Sequence, residues 1–297
     1  MRGKNVRLFS NFLLILTLFT GDVFSKELSE PTQFTIFSGD KKASFYKVAS
    51  GVCNVFNRHY LNQKFQCIAR SSAGSEANLN LLASGEADIA VIKSPEFNKF
   101  FIKSSVELQN KTDFVANIHD EYLTIMAQKK LAIKSISDLS GRVVNVGMTG
   151  STSELVISKY FADFEIKPKK IVNLGAEKSF EMLCNRRIDA WIYFIGHPNG
   201  GYKEALEKCD LELVPLSQNE IVNFLRNAPF LKKADLPKSY YSALESDLRT
   251  ISSKTILASR KNLDPKILDL VKDILTNHRE ELIKEDVIFR VASEFGI

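Results

Sequence analysis

The chain has 297 residues, 44% of them hydrophobic and 25% charged, with a formal net charge of +5. That is ordinary globular material with room for one large or two modest domains. The positive balance is too mild and too dispersed to argue for nucleic acid as a partner.

At the N-terminus, Arg2, Lys4 and Arg7 precede an apolar run from Leu8 to Phe19, the plan of a secretory signal peptide with cleavage expected after Ser25. The run is shorter than the roughly 20 apolar residues of a spanning helix, and no second one approaches that length, so the mature chain is expected not to cross a membrane. Losing three basic side chains and Asp22 leaves the remainder at +3. Export would expose Cys53, Cys67, Cys184 and Cys209 to an oxidising compartment. Pairing Cys53 with Cys67 and Cys184 with Cys209 would join neighbouring elements, yet four cysteines allow three connectivities. Buried free thiols are an equally open reading. Their spacings do not match a zinc site, and neither a metal nor a cofactor is expected.

Phe34 to Phe37 reads as a short buried strand, followed by a Ser38-Gly39-Asp40 turn and an amphipathic helix over Ser44 to Tyr60. A strand from Phe65 to Ala69, a helix from Glu76 to Ala83 and a strand from Ala87 to Ile92 complete a βαβαβ unit. The same order returns about a hundred residues later: strand Arg142 to Val146, helix Glu154 to Phe161, strand Lys170 to Leu174, helix Ala176 to Cys184, strand Ile188 to Phe194. Leu82, Gly85, Asp88, Val91 and Ile92 align with Leu183, Arg186, Asp189, Ile192 and Tyr193. Duplicated units of this kind predict an α/β fold of two similar lobes, each with a parallel sheet covered by helices. Strands at Tyr122 to Ala127 and Thr255 to Ala258, the latter before a helix over Pro265 to Asn277, predict two crossings between lobes. The expected boundaries are residues 26–120 with 258–297 for lobe 1 and 121–257 for lobe 2, with a hinge between them.

Ligands in such sheets lie beyond the carboxyl ends of the strands. The loops there are rich in Ser, Thr and Gly: Ser38-Gly39, Ser71 to Ser75, Lys93-Ser94, Gly147 to Ser153, and Gly196-His197-Pro198-Asn199. Glycine admits close backbone approach, and N–H groups at a helix start favour an anion. Helix capping accounts for any one such loop, whereas five at strand ends in both halves point to a small anionic ligand. Lys93, beside Ser94, is the expected source of positive charge. Trp191, inside its strand, is expected to pack under a helix. The Gly147 to Ser153 loop lacks the Gly-Lys-Ser/Thr ending of a nucleotide-hydrolysing loop. No Gly-x-Ser-x-Gly elbow or His-Glu-x-x-His pair occurs, so no enzyme activity is expected.

Phe34-Thr35-Ile36 with Gly39 and Phe45-Tyr46, Ser72-Ala73-Gly74-Ser75 with Asn78, and Leu81 to Ala90 are similar to one family's motifs in order. Ile136 to Val144, Gly147, Gly150-Ser151 with Glu154, and Ile188-Asp189-Ala190 followed by Gly196-His197-Pro198 continue the match. The chain thus resembles the TAXI-type substrate-binding subunits of TRAP transporters. The resemblance implies a two-lobed periplasmic-binding-protein fold that captures a small carboxylate such as glutamate or 2-oxoglutarate and docks on a TRAP-type membrane permease. It carries ligand contacts onto Ser38, Gly39, Tyr46, Ser72, Gly74, Ser75, Ser94, Gly150 and Ser151, to which the loop reading adds Lys93, His197 and Asn199. The chain departs from the family at Lys41-Lys42-Ala43 and Lys93-Ser94-Pro95. A host-contact surface protein, or a periplasmic enzyme, on the same fold are the alternatives.

Overall fold

A computed structural model of the chain describes residues 30–94 and 105–291. The expected leader and its cleavage position lie outside the described residues, as does Pro95. Among the described residues, no helix is long and apolar enough to cross a membrane.

Ten strands follow one another as β1 (Thr32–Phe37), β2 (Phe65–Arg70), β3 (Ile89–Lys93), β4 (Thr112–Gln128), β5 (Val143–Asn145), β6 (Lys170–Val172), β7 (Ala190–Ile195), β8 (Leu211–Val214), β9 (Lys232–Leu236) and β10 (Leu248–Arg260). The main helices are α1 (Ser44–Tyr60), α2 (Ser75–Ser84), α3 (Thr152–Asp163), α4 (Ala176–Cys184), α5 (Gly200–Lys208), α6 (Gln218–Asn227), α7 (Pro265–Asn277) and α8 (Arg279–Glu285). The strands join in the order β2-β1-β3-β10-β4-β7-β5-β6, with β8 added to β4 and β9 to β10. β1 is parallel to both β2 and β3, and β5 to both β6 and β7, so each βαβαβ unit forms a parallel sheet. β3 and β7 are buried along their whole length, and apart from Lys93 at the end of β3 their runs are apolar, as strands covered by helices on both faces require.

Two long antiparallel strands connect the units. β4 pairs with β10 from Thr112 to Tyr122 and with β7 from Tyr122 to Ala127. β10 pairs with β9 through Leu248 to Ser252 and with β3 through Thr255 to Ser259, and its register against β4 shifts at Thr255/Ile256 and again at Leu257/Ala258. Apolar packing divides accordingly. One cluster joins Phe34, Val52, Phe56 and Val115 to Leu257 and Ile274, and another joins Leu123, Ile125, Val144 and Ile157 to Ile192 and Ile251. α1 meets its sheet through Val48, Ala49, Val52, Val55 and Phe56, spaced three and four apart as one helical face requires. Asp264 caps α7 by accepting the Lys266 N–H at 2.9 Å, with Pro265 in the first turn.

Both nearest-neighbour disulfides form, Cys53–Cys67 tying α1 to β2 and Cys184–Cys209 tying α4 to the end of α5. Among the described residues no cysteine is free, so the free-thiol reading does not hold. Several strand boundaries differ from expectation by one to two residues, β3, β5, β6 and β7 among them. β3 starts at Ile89 and ends on Lys93, because Asp88 turns its carboxylate toward β1, where it accepts the Thr35 N–H at 2.9 Å.

Candidate functional site

The carboxyl end of β7 and the loops leading into α1, α2 and α3, with Glu121 of β4, surround a narrow cleft between the two units. Its walls include Asp40, Ser44 and Ser75 from the first half and Ser151, Thr152 and Tyr193 from the second, with Phe45, Met148 and Phe194 supplying apolar surface. The halves meet closely around it. A side chain at Gly175 would collide with the Asp40 carboxylate across the gap, and Lys42 Nζ lies 3.8 Å from Glu177 Oε1. Only about 40 Å³ inside is open to water.

Of the expected contacts, the structure brings Gly39, Gly74, Ser75 and Ser151 to the cleft wall. Gly74 and Ser75 open α2, while Ser151 caps α3 by accepting the Glu154 N–H at 3.2 Å. Gly147 permits this turn: its φ is +91°, and a Cβ there would stand 2.6 Å from the Tyr193 ring. Gly150, one residue before the cap, donates its N–H to Glu154 Oε2 at 3.4 Å.

Other expected residues turn to the protein itself. Ser38 donates to the Arg70 carbonyl at 2.7 Å, and Ser72 donates to the Ser38 carbonyl at 2.9 Å, so these hydroxyls tie the first two strand ends together. The Ser94 N–H donates to the Lys254 carbonyl at 3.1 Å. Tyr46 is half-buried in the first turn of α1, outside the lining of the cleft. His197 is 1% exposed and held by both ring nitrogens, Nε2 against Thr124 Oγ1 at 2.7 Å and Nδ1 against the Tyr241 hydroxyl at 2.5 Å. That hydroxyl also accepts the Asn199 N–H at 2.8 Å. Burial drives the imidazole pKa down to about 3, so the ring is neutral. Asn199 caps α5, accepting from Gly201 at 3.0 Å and Tyr202 at 3.2 Å. Trp191 is fully buried, edge-on to Phe180 of α4.

Lys93 is fully buried, and its ammonium donates to Glu121 Oε2 and lies 3.3 Å from Thr255 Oγ1. The Phe45 and Phe194 rings stand 5.5 and 5.9 Å from it. Burial opposes ionisation of Glu121, but Lys93 and His119 beside it prevail and hold the carboxyl down to about 2. Burial lowers Lys93 against the pull of Glu121. Glu121, which also accepts from Ser44, is the end of this pair that reaches the cleft. Neither Asp40 nor Glu121 was anticipated as a site residue. Asp40 was legible as part of the first strand-end turn, whereas Glu121 reaches the cleft only through the pairing of β4 with β10.

The architecture is that of the two-lobed periplasmic solute-binding proteins. The chain belongs to the NMT1-like family, whose profile it matches over residues 37–285. A binding-protein component of an ABC phosphonate transporter from Pseudomonas aeruginosa matches with a TM-score of 0.56 and 14% identity, over 90% of this chain and 81% of that one. A putative L-cystine ABC transporter protein from Listeria monocytogenes matches at 0.54 and 15%, over 89% and 98%. The alkanesulfonate-binding protein SsuA from Xanthomonas axonopodis pv. citri, bound to MOPS, matches at 0.50 and 14%, over 90% and 81%. Two of these three solved structures carry binding-protein names.

Proposed function

We propose that this chain is an exported receptor that takes a small amino-acid-like carboxylate, with glutamate as the type, and hands it to a TRAP-type membrane permease. The observation that carries the reading is the mixed charge of the cleft, where helix starts from both halves face Asp40 and Glu121. Free N–H groups at the starts of α2 and α3 favour a carboxylate. Asp40 and Glu121 favour an ammonium. A zwitterion satisfies both, whereas 2-oxoglutarate offers Asp40 no positive charge. Gly39, Gly74, Ser75, Gly150 and Ser151 are proposed contacts, joined by Asp40 and Thr152. Lys93 acts through Glu121, and Ser38, Ser72, Ser94, His197 and Asn199 hold the loops behind the contacts.

The lobes are residues 26–120 with 258–297, and residues 121–257, moving about the β4 and β10 crossings. The positively flanked apolar N-terminus supports cleavage after Ser25 and a periplasmic location. TRAP coupling rests on the strand-end motifs from Phe34 to Pro198, while the ABC names of the structural neighbours favour an ABC permease as the second reading. Uptake that follows a sodium gradient rather than ATP supports the first.

Calorimetry and Trp191 fluorescence should report saturable glutamate binding and weaker binding of 2-oxoglutarate. Losing a charge-assisted bond worth about 1.5–3 kcal/mol, Asp40→Asn should lower glutamate affinity about ten- to a hundredfold and leave 2-oxoglutarate nearly unchanged. If 2-oxoglutarate binds as tightly as glutamate and Asp40→Asn affects neither, the zwitterion reading is wrong.

A further inference from the structure

At the end of α1 remote from the cleft, two histidines and a glutamate from distant parts of the chain converge. Glu281 Oε1 lies 2.8 Å from His59 Nε2 and 3.1 Å from His278 Nδ1. The two imidazole rings are 3.9 Å apart, centroid to centroid, and the three prospective ligand atoms all fall within 4.8 Å of one another. Each side chain keeps between 22% and 33% of its surface exposed, enough for an ion and its remaining waters to enter.

The surroundings are ordered for such a role. His278 turns its other nitrogen, Nε2, to Asp273 Oδ2 at 3.4 Å, the carboxylate–imidazole relation that fixes which nitrogen faces a metal. Asp273 is itself held by the Tyr60 hydroxyl and by Asn277 Nδ2 at 2.7 Å. Arg58 Nε stands 3.5 Å from Glu281 Oε2, and its Nη1 is taken up by Glu285 at 2.6 Å. The guanidinium therefore engages one Glu281 oxygen and leaves the other to the imidazoles.

We infer that His59, His278 and Glu281 form a surface site for a divalent late first-row transition metal, Zn²⁺ being the probe, which joins the end of α1 to the turn between α7 and α8. Two imidazole nitrogens and one carboxylate oxygen select Zn²⁺, Ni²⁺ or Cu²⁺ over Mg²⁺ and Ca²⁺, which prefer all-oxygen shells. Three protein ligands leave at least one position for water. Some fifteen residues of α1 separate His59 from Ser44 at the cleft, roughly 22 Å at 1.5 Å per residue, so the metal acts as a staple on one lobe and does not touch the captured solute. Since the site exists only when α1 packs against α7 and α8, the ion binds the folded chain alone and raises its stability.

Calorimetric titration of EDTA-stripped protein with ZnCl₂ should give one ion per chain, with no heat from MgCl₂ or CaCl₂, and excess Zn²⁺ should raise the thermal midpoint. Both effects should disappear in His59→Ala/His278→Ala. Asp273→Asn, which leaves all three ligands in place, should weaken Zn²⁺ about ten- to a hundredfold. Glutamate binding should be the same with and without the metal. His59→Gln and His278→Gln, which preserve side-chain bulk and hydrogen bonding, guard against a folding defect in the alanine pair. Zn²⁺ binding that survives loss of both histidines, or wild-type protein that takes up no Zn²⁺, overturns the inference and leaves the cluster as a hydrogen-bonded clasp.

Discussion

The two βαβαβ units repeat the same devices and then diverge at the point where they face each other. In each, an aspartate just before the last strand accepts a main-chain N–H of the first strand: Asp88 that of Thr35 at 2.9 Å, Asp189 that of Val143 at 2.8 Å. In each, the chain enters the left-handed region just past the second helix, at Gly85, the first residue beyond it, with φ 82°, and at Arg186, the second residue beyond it, with φ 55°. The matching strand ends are Lys93 and Phe194, and there the likeness stops. One is a buried cation paired with Glu121, and the other is an aromatic ring 5.9 Å from that cation. The second unit gives the cleft neutral hydroxyls and a helix start, and the first gives it charge. A duplicated scaffold thereby presents unlike walls to the cleft without changing its framework.

The sharpest way to break this comparison is to remove the charge from the first unit. Lys93→Met leaves Glu121 buried without its principal partner and should cost about 3–5 kcal/mol in urea unfolding. The double variant Lys93→Met/Glu121→Leu should recover much of that loss, because neither charge then has to leave water. It should still bind glutamate poorly. If Lys93→Met alone unfolds at the wild-type urea concentration, the pair contributes nothing to the fold.

Next in size are the disulfides, one to each unit. Their partners are 14 and 25 residues apart, and on loop-closure grounds each should contribute about 3 kcal/mol, slightly more for the longer loop. Cys53→Ala/Cys67→Ala and Cys184→Ala/Cys209→Ala should lower stability by similar amounts, and the two losses should add. A strongly unequal pair of thermal shifts would show that one unit tolerates an open loop better than the other.

What the sequence made legible was local. The helix over Ser44 to Tyr60, the helix over Ala176 to Cys184 and the capped helix over Pro265 to Asn277 stand where apolar spacing and caps put them. The loop from Gly147 to Ser153 was visible because glycines and hydroxyls cluster after a strand, although the helix it leads into starts at Thr152, two residues before the expected Glu154. Partners distant in the chain were not legible: Glu121 meets Lys93 only because β4 and β3 both flank β10. His197 looked like a cleft residue because it follows a strand, yet Tyr241, far along the chain, locks it behind the wall. α6 escaped notice although Ser217 and Glu220 form a capping box, a signal the sequence does carry.

Acid should also act unequally on the two units, through different groups. His197 in the second has its pKa lowered to about 3, so between the ordinary imidazole value near 6.5 and about 3 the unfolded chain binds a proton that the folded chain does not. Stability should therefore fall on acidification across that window, at a limiting slope of about 1.4 kcal/mol per pH unit. Glu121 on the connecting strand β4, held down to about 2, adds a loss of the same sign only below the ordinary carboxyl value near 4.3. His197→Gln should flatten the curve from about pH 6 to 5 and leave the steeper acid limb in place. An unchanged slope in that variant would mean that other groups carry the first phase.

The smallest expected effect tests whether the matched aspartates are equivalent. Both carboxylates accept a main-chain N–H of their unit's first strand, and losing such a bond should cost about 1 kcal/mol. Asp88 does more than Asp189: it accepts from Thr35 Oγ1 at 3.2 Å and meets Arg260 Nε, from the end of β10, at 2.9 Å. That ion pair is 31% and 20% exposed at its two ends, so solvent screening limits it to a modest addition. Asp189→Ala should thus cost about 1 kcal/mol and Asp88→Ala about 2. Since only the Arg260 part is electrostatic, the excess at Asp88 should shrink in 1 M salt, where the Debye length is about 3 Å, while the Asp189 loss stays put. Equal losses at low salt would show that the tie between Asp88 and β10 adds nothing, and that the two units are anchored alike at this end of the sheet.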